Sequence, residues 1–392
     1  MSVYSKYNSL QILYWFACCC VMGFIAVFLK FCGLSNSEIG IVSGGGAVLS
    51  IFLSPFISSL VGKLKKISLQ QMMMLILGLT LICFMIITFL PVPSLVTMVL
   101  YISMYALMLS AVPIMTMIAM NYLEQGIHVD FGTARGMGST SWAVGALLFG
   151  KIIDWFNPSV LTIGYLITCV FIFILLLSMP PLYQSEAEAK SVEDTVKSEE
   201  NVLSVLKKYK TFAIILVGFT FVFAGSTALG TYLINIIQSI GGNTSLLGIV
   251  MFVMAFSEMP IMSLSGRLIQ RFNALTLIAI GAFFYTIRNI GLCFAPNLVV
   301  FIICAACQGV SYGLMTGVIT YYVNQSLERQ DRMAGQTLIG IMTSGIGSTL
   351  GNVLGGFLID GLGMSAMYYF VTGCTIFGSC IVFIAKYLST KS

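Results

Sequence analysis

Two charged residues sit where charge is expensive. Glu258, in Ala255-Phe256-Ser257-Glu258-Met259-Pro260, lies about twelve residues into an apolar run from Leu246 to Leu268. At 1.5 Å per residue that is roughly 18 Å from the start of the run. Arg288 lies in the next apolar run, Leu275 to Phe294, at a depth where the two long side chains can meet. A charge inside a bilayer costs several kcal/mol unless it is neutralised, paired or wet, and such residues mark ion and solute pathways. The chemistry on offer is proton binding by Glu258 with Arg288 as its cationic partner. A structural ion pair that fixes helix packing accounts for the same two residues.

A second constellation is Arg135, Ser139 and Trp142, spaced i, i+4, i+7 on one helical face. An indole there can stack on a sugar ring or an aromatic solute while the guanidinium donates hydrogen bonds. An interfacial arginine reaching for water beside a belt tryptophan has the same spacing. Further on, Thr227, Thr231, Asn235 and Gln238 form a stripe, suited either to a ligand's hydroxyls or to hydrogen bonds between helices. Gln308 and Tyr312 lie at i, i+4, and Asn121 stands alone in an apolar run; both amides are candidate solute contacts. Tyr14 reads as packing or interfacial belt.

The elements that carry these residues are membrane spans. The chain of 392 residues is 58% hydrophobic and only 8% charged, with a mean hydropathy of +0.99, whereas soluble domains carry about 25% charged residues. Twelve apolar stretches are expected: 10–32, 38–60, 68–91, 94–120, 132–155, 159–182, 211–238, 246–268, 273–294, 297–324, 334–358 and 365–387. The polar start from Met1 to Ser9 runs into a full-length span and lacks the small-residue pattern of a cleavable signal. The segment 184–210 interleaves acids with lysines and reads as a solvated linker, with an amphipathic turn at Val202–Leu206. Placing both termini and this linker in the cytoplasm puts sixteen of the nineteen Lys and Arg residues there, which the positive-inside rule favours. The single histidine, His128, and eleven cysteines without metal or disulfide spacing point to no cofactor, no metal and no enzymatic centre. The net charge of +5 belongs to loops and gives no reason to expect nucleic-acid binding.

The halves repeat. Gly145 to Asp154 matches Gly351 to Asp360 at an offset of 206, and Gly40-Ile41-Val42 matches Gly248-Ile249-Val250 at 208. A six-plus-six duplication with binding near the midplane between halves is a transporter layout. Gly44-Gly45-Gly46 and Gly345, Gly347, Gly351, Gly355 and Gly356 permit close helix approach. Asp154 and Asp360 fall near helix ends, where a solvated or capping role is expected.

Layout and motifs together resemble the major facilitator superfamily over nearly the whole chain. Asp130-Phe131-Gly132-Thr133-Ala134-Arg135-Gly136-Met137-Gly138-Ser139-Thr140-Ser141-Trp142 is similar to the fifth-helix signature of the lactose permease and phenylpropionate permease branch. The resemblance implies that Arg135 and Trp142 hold solute, that Glu258 is the eighth-helix acid and that Arg288 is the ninth-helix arginine. Cys307-Gln308-Gly309-Val310-Ser311-Tyr312-Gly313-Leu314 resembles the phenylpropionate-type tenth helix, with Gln308 where a histidine is usual. The fourth-helix acid of the lactose permeases is replaced by Met120-Asn121, and Ser58 to Lys63 lacks the usual Gly-x-x-x-Asp pattern. The Gly-Pro signature of proton antiporters is also absent, which favours symport or uniport.

The expectation is therefore an all-α membrane protein of major facilitator fold with two pseudo-symmetric six-helix bundles, 1–183 and 211–392, joined by 184–210. Its expected partners are a small solute, a proton and the lipid of a cell inner membrane, and it is expected to act as a monomer. The expected activity is proton-coupled symport, with a sugar or glycoside first among the cargoes. An aromatic carboxylate or a nucleoside is the nearest alternative, then drug efflux, then a non-transporting sensor.

Overall fold

A computed structural model describes residues 2–63, 67–127, 129–182 and 202–391. Among the described residues the chain is helical throughout its ordered elements, with no strand. Helix α1 is bent, Val3–Gly23 followed at 51° by Ile25–Phe31. Then come α2 (Asn36–Lys63), α3 (Leu69–Phe89), α4 (Ser94–Glu124), α5 (Phe131–Trp155) and α6 (Val160–Ser178). A short helix, Val202–Lys208, precedes α7 (Lys210–Thr231), which is extended after a break by Leu233–Ser239. The remainder are α8 (Thr244–Arg271), α9 (Ala274–Phe294), α10 (Leu298–Ser326), α11 (Arg332–Leu362) and α12 (Met364–Lys391). His128, Lys65, Lys66 and the charged segment up to residue 201 lie outside the described residues.

Ten of these helices, and bent α1 as an eleventh, are long and apolar enough to cross a bilayer. The twelfth is α5. Its 25 residues make roughly 37 Å of helix, but Gly, Ser, Thr, Arg135 and Lys151 hold its hydropathy down. Its polarity coincides with the constellation singled out from sequence. Leu177 and Val299 are 73% and 67% exposed, as lipid-facing side chains should be. The chain is a multi-pass, all-α membrane protein.

Local signals explain most boundaries. The Ser68 hydroxyl accepts from Gln71 N while the Gln71 side chain accepts from Ser68 N, a reciprocal cap that starts α3. Asp130 caps α5 by accepting from Thr133 N at 3.1 Å. The main departure is α1, which begins at Val3 and not near residue 10. Ser2 caps it, and Tyr7 and Asn8 are buried, so the polar start is a packed helical face. The Lys6 ammonium donates to the Ser178 carbonyl at the end of α6, satisfying an orphan acceptor there. The bend follows a π-helical turn at Cys19–Gly23, a recognised source of kinks.

Contacts divide the chain into two compact units. Unit 1 holds Met1–Leu34, Gly45–Val196 and Thr244–Ile249; unit 2 holds Ser35–Gly44, Lys197–Asn243 and Val250–Ser392. The first turns of α2 thus belong with unit 2 and those of α8 with unit 1. Unit 1 is centred on Phe28, Phe84, Tyr101 and Tyr165, whose rings meet edge to face or tilted at 4.9–6.2 Å. Unit 2 is built on Phe212, Phe219, Ile278, Tyr285, Met315 and Val318, all buried.

Each unit ties in its borrowed turns with an aspartate. In unit 1, Asp154 accepts from Thr244 N at 3.1 Å and Ser245 N at 2.8 Å, and from the Ser245 hydroxyl. In unit 2, Asp360 accepts from Asn36 Nδ2 at 2.7 Å, Ser37 N at 2.6 Å and Ser37 Oγ at 2.7 Å. These are helix N-caps supplied by another helix, charge-assisted and aligned with the helix dipole. Glycines make the approach possible. A Cβ on Gly150 would lie 2.7 Å from the Thr244 carbonyl oxygen, and one on Gly356 would overlap that of Asn36. The short helix is clasped too: Lys208 Nζ meets Glu328 and Asp331, each at 2.8 Å, and Tyr209 Oη donates to Asp331 at 2.9 Å.

Candidate functional site

The polar interior of unit 1 is organised around Arg135. Its Nη1 donates to Ser139 Oγ at 2.9 Å, one turn along α5. Its guanidinium carbon stands 4.0 Å above the ring of Trp15 on α1, a cation–π contact. Trp15 meets Trp142 edge on, with ring centroids 6.3 Å apart. The indole Nε1 donates to Gln11 Oε1 at 3.1 Å, Gln11 Nε2 to Tyr7 Oη at 2.8 Å, and Tyr7 Oη to the Met115 carbonyl at 3.2 Å. A Cβ at Gly138 would lie 3.0 Å from Trp15 Nε1 and closer still to its Cδ1. That glycine therefore makes room for the indole against α5.

Arg135, Ser139 and Trp142 are thus brought together, as their spacing allows. Trp15 and Gln11 were not singled out from sequence. Asn8, Gln11 and Trp15 fall at i, i+3, i+7, a polar stripe that the sequence does contain. Asn121 is buried, and its amide donates to Met117 O of its own helix at 3.1 Å. Tyr14 is fully buried, with its hydroxyl on the Met108 carbonyl.

Unit 2 holds the other cluster. Arg288 is 1% exposed. Its Nη1 donates to Ser226 Oγ at 2.9 Å and to Asn289 Oδ1 at 3.2 Å, and its Nε is buried with no hydrogen-bond partner. Asn289 in turn donates to Thr375 Oγ1 at 2.9 Å. Gln308 Nε2 donates to Glu258 Oε1 at 2.9 Å, while Gln308 Oε1 is buried without a partner. Glu258 and Tyr285 both interact electrostatically with Arg288; the Tyr285 ring lies 5.8 Å from the guanidinium carbon. Glu258 is therefore linked to Gln308 by a hydrogen bond and to Arg288 through its charge.

Backbone geometry sets this cluster. A π-helical turn at Gly309–Gly313 interrupts α10 just after Gln308, and Gly309 N donates to Ser257 Oγ at 3.0 Å. A Cβ on Gly309 would overlap the Ser257 carbonyl, so only glycine lets α10 approach α8 beside Glu258. Asn235 lies elsewhere, donating to Asn36 Oδ1 at 2.7 Å beside Asp360. Thr231 likewise donates to Asn352 Oδ1 at 2.8 Å. These members of the α7 stripe serve the α2–α11 crossing. No cluster of three or more metal-ligating side chains occurs among the described residues.

The twelve long helices among the described residues, with Arg135 in unit 1 and Glu258 and Arg288 in unit 2, fit a membrane transporter of the major facilitator type. The chain belongs to the MFS_1 like family, whose model matches residues 4–370. It is 23% identical over 341 residues to the uncharacterized transporter YwbF of Bacillus subtilis (strain 168), covering 86% of this chain and 81% of that one. It is 24% identical over 285 residues to a maltose permease of Geobacillus stearothermophilus, covering 72% and 70%. Among solved structures, the nucleoside transporter NupG superposes with a TM-score of 0.82 at 13% identity, over 99% of both chains, a likeness of fold.

Proposed function

We propose that this transporter couples the movement of a small organic solute to protons, as a symporter working by alternating access, with a sugar or glycoside as the first candidate cargo. Glu258 carries the reading: a carboxylate within a span, hydrogen-bonded by Gln308 and in the field of a fully buried arginine. Solute entry that disturbs Arg288 or Gln308 therefore moves the proton on Glu258. Arg135, Ser139 and Trp142 in unit 1, and Gln308 in unit 2, are the proposed solute contacts. The maltose permease relative supports a sugar, and the fifth-helix motif supports the lactose and phenylpropionate permease branch. The bundles 1–183 and 211–392, cytoplasmic termini, an inner-membrane location, a monomeric state and the lack of enzymatic activity belong to the same proposal.

The test is solute-induced alkalinisation of the medium around de-energised vesicles carrying the protein, with sugars, nucleosides and aromatic acids in turn. The expected result is a pH rise with one class in wild type and none with Glu258→Gln. Unchanged proton movement in Glu258→Gln removes the coupling role. A response to nucleosides or aromatic acids alone replaces the cargo.

A further inference from the structure

Arg135 is a half-buried cation in the second turn of α5. Among the described residues it makes no ion pair; its partners are the Ser139 hydroxyl and the face of Trp15. A guanidinium has five N–H donors, and one of them is used here on Ser139.

The guanidinium is also held by an aromatic face. The Trp15 ring centroid lies 4.0 Å from the guanidinium carbon, and Trp15 is itself fixed by Gln11, Tyr7 and the α4 backbone at Met115. Gly138 clears the space the indole occupies. A relay of neutral groups thus holds a positive charge in place without cancelling it. Such an arrangement costs orientation in advance and keeps the charge for a ligand. In unit 2, by contrast, Arg288 already has Glu258 nearby.

We propose that Trp15 is a positioning residue that presents Arg135 to the anionic group of the solute, so that the cargo is a small organic anion, a carboxylate or phosphate ester on a sugar or aromatic body. This deepens the symport reading and rests on its assignment of Arg135 as a solute contact. The occupied face of Trp15 serves the arginine, and Trp142, edge on to it, remains to pack against the solute's ring. Phosphate and carboxylate share the same fork-like recognition by arginine, so both belong in the test.

The chain has three tryptophans, and Trp155 is 70% exposed at the end of α5. In a Trp155→Phe background the emission reports on Trp15 and Trp142. Purified protein is titrated with matched pairs: glucuronate against glucose, glucose 6-phosphate against glucose, and phenylpropionate against phenylpropionamide. The expected result is that the anion of at least one pair half-saturates the emission change at roughly tenfold lower concentration than its neutral partner. Arg135→Gln removes that preference. Trp15→Leu weakens it with Trp142 as reporter, and Trp15→Phe, which keeps an aromatic face, restores most of it. The proposal is overturned by equal affinities within every pair, by a preference that survives Arg135→Gln, or by silence from all the anions on folded protein. A neutral sugar that binds and draws protons through Glu258 would overturn this inference and leave the symport reading standing. An anion that binds without proton movement would do the reverse.

Discussion

Gly150→Ala and Gly136→Ala are the same substitution in the same helix, and the structure assigns them opposite signs. At Gly150 the new Cβ lies 2.7 Å from the Thr244 carbonyl oxygen and 3.0 Å from the Gly248 Cα. Ordinary contact needs about 3.4 Å or more, so the α5–α8 crossing must open by roughly half an ångström or more. The Asp154 bonds to Thr244 N and Ser245 N, at 3.1 and 2.8 Å, lie one turn away and lengthen with it. Overpacking of this kind costs about 1–3 kcal/mol, and a weakened N-cap adds about 1 kcal/mol. At Gly136 nothing lies within 4 Å of the new Cβ. Alanine there gains helix propensity, up to about 1 kcal/mol. Thermal unfolding in detergent should place Gly150→Ala below wild type and Gly136→Ala at or above it. Hydrogen exchange over residues 244–249 should quicken in Gly150→Ala alone. Equal midpoints for the two variants would falsify the close-approach account of this crossing.

Asp360→Ala removes three hydrogen bonds from the start of α2; a loss of about 1–2 kcal/mol and faster exchange at residues 36–40 are expected, whereas exchange at wild-type rates would show that water caps the helix equally well. The Lys208 clasp gives a pH signature. The Lys208 ammonium, then the Tyr209 hydroxyl, holds the Asp331 carboxyl below its ordinary 3.8, and Asp331 and Glu328 raise Lys208. A lowered acid contributes stability that is present above its ordinary pKa and lost as pH falls through the folded value. The stability gap between wild type and Lys208→Met, measured by thermal unfolding, should therefore be constant from about pH 5 to pH 8 and close below about pH 4. A gap that persists undiminished at about pH 3 would mean that Lys208 acts through packing.

Much of the fold was legible because apolar runs of membrane length announce themselves. The exceptions have physical causes. The start of α1 looked polar because of Lys6 and Asn8, yet Asn8 is buried and Lys6 donates to the Ser178 carbonyl. Hydropathy reports the cost of such groups and not the packing that buries them. The π-helical turns in α1 and α10 depend on what each backbone meets, which no local pattern encodes. Among the candidate site residues, Glu258 and Arg288 stood out because isolated charges in apolar runs are rare. Trp15 did not, since an aromatic beside Tyr14 on an apolar helix reads as packing. Its contact is with a guanidinium on another helix. Asn235 shows the converse: a well-spaced amide whose partner, Asn36, sits at a distant point of the chain.

The borrowed helix starts have a consequence for how the chain is made. The cap on Ser37 comes from Asp360, 323 residues later, so the first turn of α2 waits for its partner until α11 has been made. The cap on Ser245 comes from Asp154, 91 residues earlier, and is ready when α8 emerges. Unit 1 also needs Thr244–Ile249, and unit 2 needs Ser35–Gly44. No single cut between α6 and α7 yields two self-sufficient fragments, because each carries away a piece of the other. Two such polypeptides, made together, have a reason to find each other in the membrane; made singly, each is left with an uncapped helix and an empty seat where the missing turns belong.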